Sequence, residues 1–315
     1  MNAVSTGMQW WDAAVMTAVQ MDAVVVGNIG VDTNVYLPGG DANPNESTFT
    51  NNQDGIGQAG GYTSFGYARL GVSAGFIGYV GEDPWGAEIR RSLEKAGVRS
   101  LLFVDPEGTS RSINLMQRDG TRRNFYDGKS HMTLTPELAA CFSFMRNARL
   151  LHVHLPNWAR HLLGPARDAG ATIACDLQDL TTLDDPYRYD FIDAADYLFC
   201  SAANFTDPRP VADALLSRNR RATVVVGLGA QGAWVADHHT AKHFGPVDHP
   251  DPIVDTNGAG DSLAVGFLTA RVLEGRPVEQ AIQWGQVAAR HACTLRGTTD
   301  LIHRDTLLER LNSVK

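Results

Sequence analysis

Cysteine is scarce in this chain. Only four occur among 315 residues, and their wide separation argues against paired zinc ligands or a disulfide framework. They are Cys141, Cys175, Cys200 and Cys293. Because disulfides are uncommon where thiols are kept reduced, we expect a cytoplasmic protein.

The chain has no excess of positive charge and no long apolar run. The formal net charge is −8, and no basic run exceeds two arginines. This balance argues against a general nucleic-acid or membrane-surface binder. No apolar run reaches the roughly 20 residues of a membrane span, and the start of the chain lacks the basic segment of a signal peptide. We therefore expect a small-molecule partner rather than nucleic acid or a membrane.

Apolar residues, by comparison, are plentiful. They make up 43% of the sequence, enough for the core of one large α/β domain or two smaller ones. From Arg149 onward, apolar strands alternate with helical segments, and AVVV at 23–26 is apolar throughout, as in a strand buried on both faces. This pattern predicts an α/β fold with a doubly wound, mostly parallel central sheet. We assign residues 1–21 to an N-terminal extension and 22–315 to the main domain.

A glycine-rich loop leads directly into an apolar helix in VDTNGAGDSLAVGFLTARVLEG, residues 254–275. The apolar spacing predicts an amphipathic helix. The first N–H groups of a helix lack partners and carry partial positive charge, so anions bind there. Asp261 could simply cap this helix. Alternatively, a carboxylate beside an anion-binding loop could accept the proton of a hydroxyl that attacks a phosphoryl group.

The motif DTNGAGD followed by an apolar helix resembles the C-terminal signature of the ribokinase-like (PfkB-type) carbohydrate kinases. The resemblance implies that Asp261 is the catalytic base and that the N–H groups of Gly258, Ala259 and Gly260 hold the transferring phosphoryl group. It implies ATP as co-substrate and Mg²⁺ as cofactor. It also implies a ribokinase-like fold, and it extends over roughly residues 22–300.

The same resemblance implies a potassium site. Asp255 and Thr256 open the motif, and Gly297 lies in a later loop; in the family these positions enclose a monovalent cation. Thr298 to Asp300 departs from the small residues common there. The extra carboxylate could strengthen the site, or an internal contact could replace the ion.

The acceptor side of the site is expected near the start of the main domain. Asp32 follows the first strand, where the family has an aspartate that binds sugar hydroxyls, and Asn28 lies in the same segment. A carboxylate can accept two adjacent hydroxyls, although turn aspartates are common. Asn157, beyond a later strand, is a further candidate because ligands gather at the carboxyl ends of parallel strands.

The sequence AGGYTSFGYARLG resembles the family's N-terminal signature. It predicts a helix over residues 62–70 after the pair Gly60 and Gly61, which we assign to substrate binding. Aligned on the end of this helix, Tyr62 stands where the family usually has asparagine, and the family's glycine pair falls on residues 57–58. Either the loop is rearranged or the substrate differs from ribose.

Two segments, about residues 31–52 and 101–127, are expected to form a small β-sheet lid over the sugar. The first carries a short predicted strand, residues 47–50, and the second contains Asp119-Gly120, a hairpin signal. By resemblance, the lid also joins two copies into a homodimer. An arginine of the second segment could contact an acidic substrate or simply face solvent. The polar candidates there are Arg111, Asn114, Arg122 and Arg123.

Asn204 and Asp207 match the family's N-x-x-E motif, with aspartate in place of glutamate. By resemblance, Asn204 belongs to the nucleotide site and Asp207 organises Mg²⁺. Because the aspartate side chain is one methylene shorter, we expect Asp207 to act through water.

A second glycine motif contains Gly227, Gly229 and Gly232. It matches the G-x-G-x-x-G pattern of dinucleotide-binding proteins, but residues 233–236 are predicted to form a strand where a Rossmann site requires a helix. The carbohydrate-kinase family has T-x-G-x-x-G at this point, lining the nucleotide. By the same resemblance Gln286, in a helix predicted over 278–294, faces the adenine.

His152 and His154 are predicted to share one face of a strand. Without a nearby third ligand, two histidines do not make a metal site. We therefore expect both to be packed or hydrogen-bonded.

These observations predict an ATP-dependent kinase that phosphorylates a hydroxymethyl group of a sugar or sugar-like molecule. A nucleoside kinase is the alternative within the same chemistry, because Tyr62 could stack on a base. A dehydrogenase is disfavoured by the strand predicted after Gly232. A non-catalytic sugar-binding regulator is disfavoured by the intact Asp261.

Overall fold

The structure of the chain, a computed structural model, describes residues 20–38, 47–117, 122–248, 250–298 and 300–313. Nearly all of the predicted N-terminal extension and the whole Asp119-Gly120 turn lie outside these residues. Among the described residues, no helix combines the length and apolar character needed to cross a membrane.

The described residues contain thirteen strands and nine α-helices. The strands are β1 (Ala23–Val26), β2 (Gly30–Tyr36), β3 (Asn51–Gly57), β4 (Ala74–Val80), β5 (Arg99–Val104), β6 (Arg111–Met116), β7 (Arg122–Asp127), β8 (Leu150–Val153), β9 (Thr172–Asp179), β10 (Tyr197–Ser201), β11 (Thr223–Gly227), β12 (Ala233–Ala236) and β13 (Ala241–Phe244). The helices are α1 (Gln58–Arg69), α2 (Pro84–Lys95), α3 (Leu138–Met145), α4 (Arg160–Asp168), α5 (Tyr189–Ala194), α6 (Pro208–Arg218), α7 (Ala259–Leu268), α8 (Val278–Ala292) and α9 (Arg304–Ser313).

The large sheet has the order β13-β12-β11-β10-β9-β8-β1-β4-β5. Its strands pair in parallel from β5 to β11, and β12 and β13 add an antiparallel edge. This confirms the doubly wound, mostly parallel sheet. Both β1 and β8 are buried along their whole length. The chain order reverses between these two strands, and ligands of such sheets bind beyond the carboxyl ends at that point.

The small sheet has the order β3-β2-β6-β7, which confirms a second, smaller sheet. Two details differ from the sequence-based expectation. β3 covers Asn51–Gly57 rather than 47–50, because NNQDGIG pairs with β2 along its length without any apolar alternation to reveal it. Residues 101–104 belong to β5 at the edge of the large sheet, where they pair with β4, so the second lid segment begins at β6.

Helix α1 begins at Gln58, four residues before the predicted start. Gly60 and Gly61 lie inside it, although glycine is a poor helix former. The reason is close packing, because a Cβ at Gly60 would lie 2.6 Å from the carbonyl oxygen of Asn28. Gln58 adopts φ +63°, a left-handed conformation that glycine takes more easily. The helix is thereby pressed against the carboxyl end of β1.

Helix α7 is internal rather than amphipathic. Every residue from Ser262 to Leu268 is buried, because the helix packs against both α1 and α8. Glycine permits the close approach to α8, since a Cβ at Gly266 would lie 2.7 Å from the carbonyl oxygen of Trp284. The loop before α7 is therefore held by a fully packed helix.

Candidate active site

The glycine loop forms the N-terminus of α7. Gly258 is the N-cap residue and has a left-handed backbone, φ +71°, which favours glycine. Ala259 and Gly260 begin the first turn, and a Cβ at Gly260 would meet nothing within 4 Å. Gly260 therefore borders open space at the positive end of the helix. This arrangement can bind an anion.

Asp261 lies in the first turn of α7, and Gly258 rather than Asp261 occupies the cap position. The capping explanation is therefore not supported. Burial raises the pKa of Asp261 well above its usual range, the negative charges of Asp176 and Asp32 act in the same direction, and Arg122 opposes them. A carboxylate of raised pKa is a better proton acceptor than an ordinary one.

Tyr62 connects the glycine loop to Asp32. Its ring packs against Gly258, where any Cβ would clash with it, and its hydroxyl donates to Asp32 Oδ2 at 3.3 Å. Tyr62 is only 3% exposed. A ring enclosed in this way cannot stack on a nucleoside base, so this argument for a nucleoside substrate is not supported. Tyr62 instead holds the two halves of the site together.

Asp32 presents an unsatisfied acceptor. Its Oδ2 accepts from the Tyr62 hydroxyl and from the Gln58 N–H at 3.3 Å. Its Oδ1 is buried and makes no full hydrogen bond among the described residues, although the Ser112 hydroxyl on the paired strand β6 is near enough to act on the carboxylate. Burial raises the pKa of Asp32. Leaving a buried carboxylate oxygen unpaired is costly, and a sugar hydroxyl would supply the missing donor. Gly57 permits this placement, because any Cβ there would clash with the carboxylate.

Asn28 is held by a chain of hydrogen bonds. Its Nδ2 donates to the Tyr126 hydroxyl at 2.8 Å, that hydroxyl lies 3.2 Å from His131 Nε2, and His131 Nδ1 lies 3.2 Å from an oxygen of buried Asp105. Burial lowers the pKa of His131, so the ring carries one proton. Because a carboxylate only accepts, that proton is on Nδ1, Nε2 accepts from Tyr126, and the tyrosine oxygen accepts from Asn28. Asn28 Oδ1 remains a buried acceptor with no partner in the described part of the chain.

The other predicted acceptor residues have different surroundings. The N–H of Gly60 donates to the Asn28 carbonyl at 2.9 Å, and Gly61 is buried in α1, so both position the helix. Asn157 is exposed just beyond β8, and its carbonyl accepts from Arg160 Nε at 3.0 Å. Contact of Gly60, Gly61 and Asn157 with substrate stays a prediction.

The second glycine motif shapes a turn in the large sheet. Gly227 ends β11, and Gly229 and Gly232 both have positive φ on the way into β12. β12 is antiparallel to β11, so a strand follows the glycines, as predicted, in place of a Rossmann helix. Buried Gln286 donates from Nε2 to two carbonyls at the end of β13, at 3.2 and 2.7 Å. These four residues thus fix the edge predicted to receive the nucleotide, and their contact with it stays a prediction.

Asn204 and Asp207 lie beyond β10. Asn204 Nδ2 donates to the Leu180 carbonyl at 2.9 Å, which leaves its amide oxygen to face other groups. Asp207 is the N-cap of α6, accepts from the Arg209 N–H at 3.0 Å, and pairs with the Arg209 guanidinium at 2.7 Å. Its side chain is 38% exposed. Water can therefore still reach this carboxylate.

Asp255 joins the glycine loop to the lid. Its Oδ1 accepts from the Asn257 N–H at 2.7 Å. Its Oδ2 accepts from Asn34 Nδ2 at 3.4 Å and from the Tyr36 hydroxyl at 3.2 Å, both on β2. These contacts come from β2, and replacement of the ion by a contact of residues 298–300 stays a prediction.

The expectation that no third metal ligand lies near His152 and His154 is wrong. Asp176, on the neighbouring strand β9, brings a carboxylate oxygen within 4.8 Å of a nitrogen from each histidine. The sequence did not reveal this group because register between parallel strands decides which residues become neighbours. Tyr126, His131 and Asp105 escaped notice for a similar reason, since the contacts of Tyr126 with Asn28 and of His131 with Asp105 join segments that are separate in the chain.

Comparison with known proteins agrees with this geometry. Residues 22–304 match the pfkB family carbohydrate kinase model. Acarbose 7(IV)-phosphotransferase of Actinoplanes sp. is 29% identical over 282 residues, covering 88% of this chain and 93% of that protein. The structure of a microbiome-derived acarbose kinase superposes with a TM-score of 0.85 at 32% identity, covering 93% of this chain and 99% of that one. Adenosine kinase of Schizosaccharomyces pombe is 25% identical over 257 residues, covering 71% and 74%.

The doubly wound sheet, together with the similarity to named carbohydrate kinases, identifies an ATP-dependent carbohydrate kinase. Because the family model spans most of the sequence, the chain belongs to the pfkB family carbohydrate kinases.

Proposed function

We propose that this kinase transfers the γ-phosphoryl group of ATP to a hydroxymethyl group of a sugar or sugar-like molecule, with Asp261 as general base. The observation that carries the proposal is the position of Tyr62, whose ring packs on Gly258 and whose hydroxyl binds Asp32. The proposed acceptor-binding carboxylate and the proposed anion-binding loop therefore lie only the length of one tyrosine side chain apart. Two hydroxyls of a sugar that donate to Asp32 Oδ1 and Asn28 Oδ1 would hold the ring so that a separate hydroxymethyl group can approach a phosphoryl group at that loop.

In this proposal Asp261 takes the proton of the attacking hydroxyl, and the N–H groups at Gly258, Ala259 and Gly260 stabilise charge on the phosphoryl oxygens. The raised pKa of Asp261 suits this role, because an efficient general base has a pKa near the working pH. Positioning and electrostatic stabilisation supply most of the catalysis in phosphoryl transfer.

The residues near the nucleotide edge fit a water-mediated Mg²⁺ site. Mg²⁺ keeps several waters and prefers oxygen ligands, and Asp207 offers a partly exposed carboxylate while the Asn204 amide oxygen points away from Leu180. Arg209 shares the Asp207 carboxylate, which favours contact through water over direct coordination. When bound, Mg²⁺ offsets the negative charge of the phosphate groups.

Substrate identity can be tested by ADP release. The purified protein is incubated with ATP and MgCl₂ and with acarbose, monosaccharides, sugar acids or nucleosides, and phosphorus NMR locates the new phosphate. Acarbose is included because two similar proteins are acarbose kinases. We expect a phosphorylated hydroxymethyl group on a sugar. Turnover with nucleosides alone would favour the nucleoside kinase, and absence of ADP with every acceptor would favour a non-catalytic regulator.

Asp32→Asn is expected to raise the acceptor KM at least about tenfold, because a hydrogen bond to a charged group contributes about 1.5–3 kcal/mol. The KM for ATP should change little. Steady-state kinetics with each substrate varied in turn check this, with exposed Asp54→Asn as the control on the adjoining lid strand. A change confined to the ATP KM would contradict the prediction and indicate that Asp32 acts in ATP binding.

We also propose that K⁺ raises kcat through Asp255, Thr256 and Gly297. Three donors reach the Asp255 carboxylate, and a carboxylate offers about four acceptor sites, so one stays available to a cation. Gly297 adopts φ +78° in the neighbouring loop. Rates in potassium, sodium and tetramethylammonium chloride at equal ionic strength test this, because screening is then constant. Equal rates would mean that Asp255 serves only as the anchor of the lid.

We further propose a cytoplasmic homodimer joined through the small sheet. All six residues of β7 are exposed, and Ile113 and Phe125 are 41% and 46% exposed on this sheet. Exposed apolar side chains of this size favour burial against a partner.

A further inference from the structure

Beneath the site, His152, His154 and Asp176 form a buried cluster that has no part in the proposed transfer reaction beyond the charge of Asp176 acting on Asp261. His152 lies in β8, His154 follows that strand, and Asp176 lies in β9. The two histidines are 0% and 1% exposed, and their rings stack with centroids 5.0 Å apart. One nitrogen of each histidine and one oxygen of Asp176 lie within 4.8 Å of one another.

Hydrogen bonds fix the proton on His154. The Thr63 hydroxyl donates to the Ala59 carbonyl at 2.7 Å, so toward His154 Nε2, at 2.9 Å, it can only accept. Nε2 therefore carries the proton, and Nδ1 carries the lone pair.

The lone pair of His154 Nδ1 faces another acceptor. Asp176 Oδ2 lies 3.8 Å away, too far for a direct hydrogen bond, and Nδ1 has no hydrogen-bond partner among the described residues. The other oxygen of Asp176 already accepts from the Gln178 N–H at 2.8 Å. Two acceptors facing each other in a buried site need a positive or hydrogen-bearing species between them.

His152 contributes a second unpartnered nitrogen. Its Nδ1 lies 3.1 Å from the Tyr67 hydroxyl, whereas Nε2 is buried with no partner in the described part of the chain. Histidines that bind metals usually donate their other N–H to an oxygen, which orients the ring. Tyr67 and Thr63, both on α1, occupy that position for His152 and His154.

We propose that this cluster binds one divalent transition-metal ion of the zinc class through His152 Nε2, His154 Nδ1 and the Asp176 carboxylate. Two imidazole nitrogens and one carboxylate suit Zn²⁺, Co²⁺ or Ni²⁺, whereas Mg²⁺ and Ca²⁺ prefer oxygen ligands. In a tetrahedral site with bonds of about 2.1 Å, ligand atoms lie about 3.4 Å apart. His154 Nδ1 and Asp176 Oδ2, at 3.8 Å, are close to that separation, and a gap as wide as 4.8 Å would have to close by more than about 1 Å through side-chain rotation.

The ion would enter past Asp176, whose side chain is 11% exposed while His154 is sealed. Once bound, it would join β8 and β9, and through Thr63 and Tyr67 it would stiffen α1, the helix that carries Tyr62. A buried water molecule could donate to His154 Nδ1 and Asp176 and accept from His152 Nε2 in the tautomer that places the proton there. It is the alternative occupant against which the metal must be tested.

The first test uses the full chain after chelator treatment, without nucleotide or sugar, titrated with Co²⁺. We expect one Co²⁺ per chain, a visible absorption band that Zn²⁺ abolishes by competition, and a higher Tm in the presence of metal, because a ligand of the folded state stabilises it. Failure of the wild-type chain to bind Co²⁺ would overturn the proposal. The result is independent of the kinase reaction, since neither substrate is present.

His154→Gln and Asp176→Asn should each weaken Co²⁺ binding by more than the roughly 10–100-fold that loss of an outer hydrogen-bond partner costs. Exposed His161→Gln on α4 is the matched control and should bind as the wild type does. Melting without metal identifies which variants fold, and unchanged binding in either folded variant contradicts the site.

Anomalous scattering from zinc-soaked crystals of the wild-type protein tests the site without any variant. A peak at the cluster supports the proposal. A peak only elsewhere, or water alone at the cluster, overturns it.

Discussion

Asp261→Asn is expected to lower kcat by about 10²–10⁴, the usual contribution of a general base. Asparagine keeps the size of the side chain but cannot take the proton of the attacking hydroxyl. The KM values for ATP and acceptor should change little, because neither Gly258 nor Asp32 is altered. In the wild type, kcat should fall as the pH drops through the raised pKa of Asp261. Near-normal turnover of the purified variant would remove Asp261 from this role.

The same substitution should raise Tm at neutral pH. Since burial raises the folded-state pKa of Asp261 above the unfolded value, its charge destabilises the fold at pH values above the unfolded pKa. This penalty is lost as the pH falls through the interval between the two pKa values, so the Tm advantage of the variant should vanish in acid. Exposed Asp213→Asn controls for the change in net charge. A neutral-pH Tm no higher than that of the wild type would contradict the electrostatic penalty.

Gly258→Ala is expected to lower both stability and turnover strongly. The left-handed φ of +71° costs an L-residue roughly 1–2 kcal/mol, and the new Cβ would clash with the Tyr62 ring. If the ring moves, its hydroxyl leaves Asp32 and the acceptor loses its positioning. Urea denaturation measures the first effect, and kcat/KM for the acceptor measures the second.

Gly260→Ala provides the matched control on the same loop. Its Cβ would meet nothing within 4 Å, and Gly260 does not have a positive φ. Its free energy of unfolding should therefore equal or exceed that of the wild type, since alanine favours a helix over glycine. If both variants lost equal stability, the specific clash with Tyr62 would not be the cause. A partial recovery of Gly258→Ala by Tyr62→Leu would separate the clash from the backbone strain.

The sheet could be predicted from sequence because its central strands are largely apolar and buried. The predicted strand AVVV at 23–26 has the same bounds as β1. Its burial on both faces is typical of a central strand of a parallel sheet. β3 could not be predicted, because NNQDGIG is largely exposed, lacks apolar alternation and is rich in the Asn, Asp and Gly residues typical of loops. Its place depends on backbone pairing with β2, which sequence periodicity does not report.

The residues of the site also fall into those that local sequence predicts and those that depend on contacts between distant segments. The position of Asp261 at the start of a helix follows from local sequence, since the glycines and the apolar run are adjacent. The role of Tyr62 does not, because a tyrosine in place of asparagine gains its meaning only from contact with Gly258 and Asp32. The metal-ligand geometry of His154 and Asp176 likewise depends on the register of β8 with β9.

The hydrogen bonds from β2 to Asp255 are expected to couple the binding of sugar to the binding of ATP. Asn34 and Tyr36 lie on the strand that carries Asp32, and they hold the carboxylate that opens the phosphoryl-binding motif. A sugar that orders β2 therefore also orders the ATP side, and linkage requires that ATP tighten the sugar by the same factor. Calorimetric Kd values for a non-hydrolysable ATP analogue with and without sugar, and the converse pair, should give one coupling constant. Tyr36→Phe should reduce both ratios equally, whereas independent binding in the wild type would show that the lid and the loop move separately.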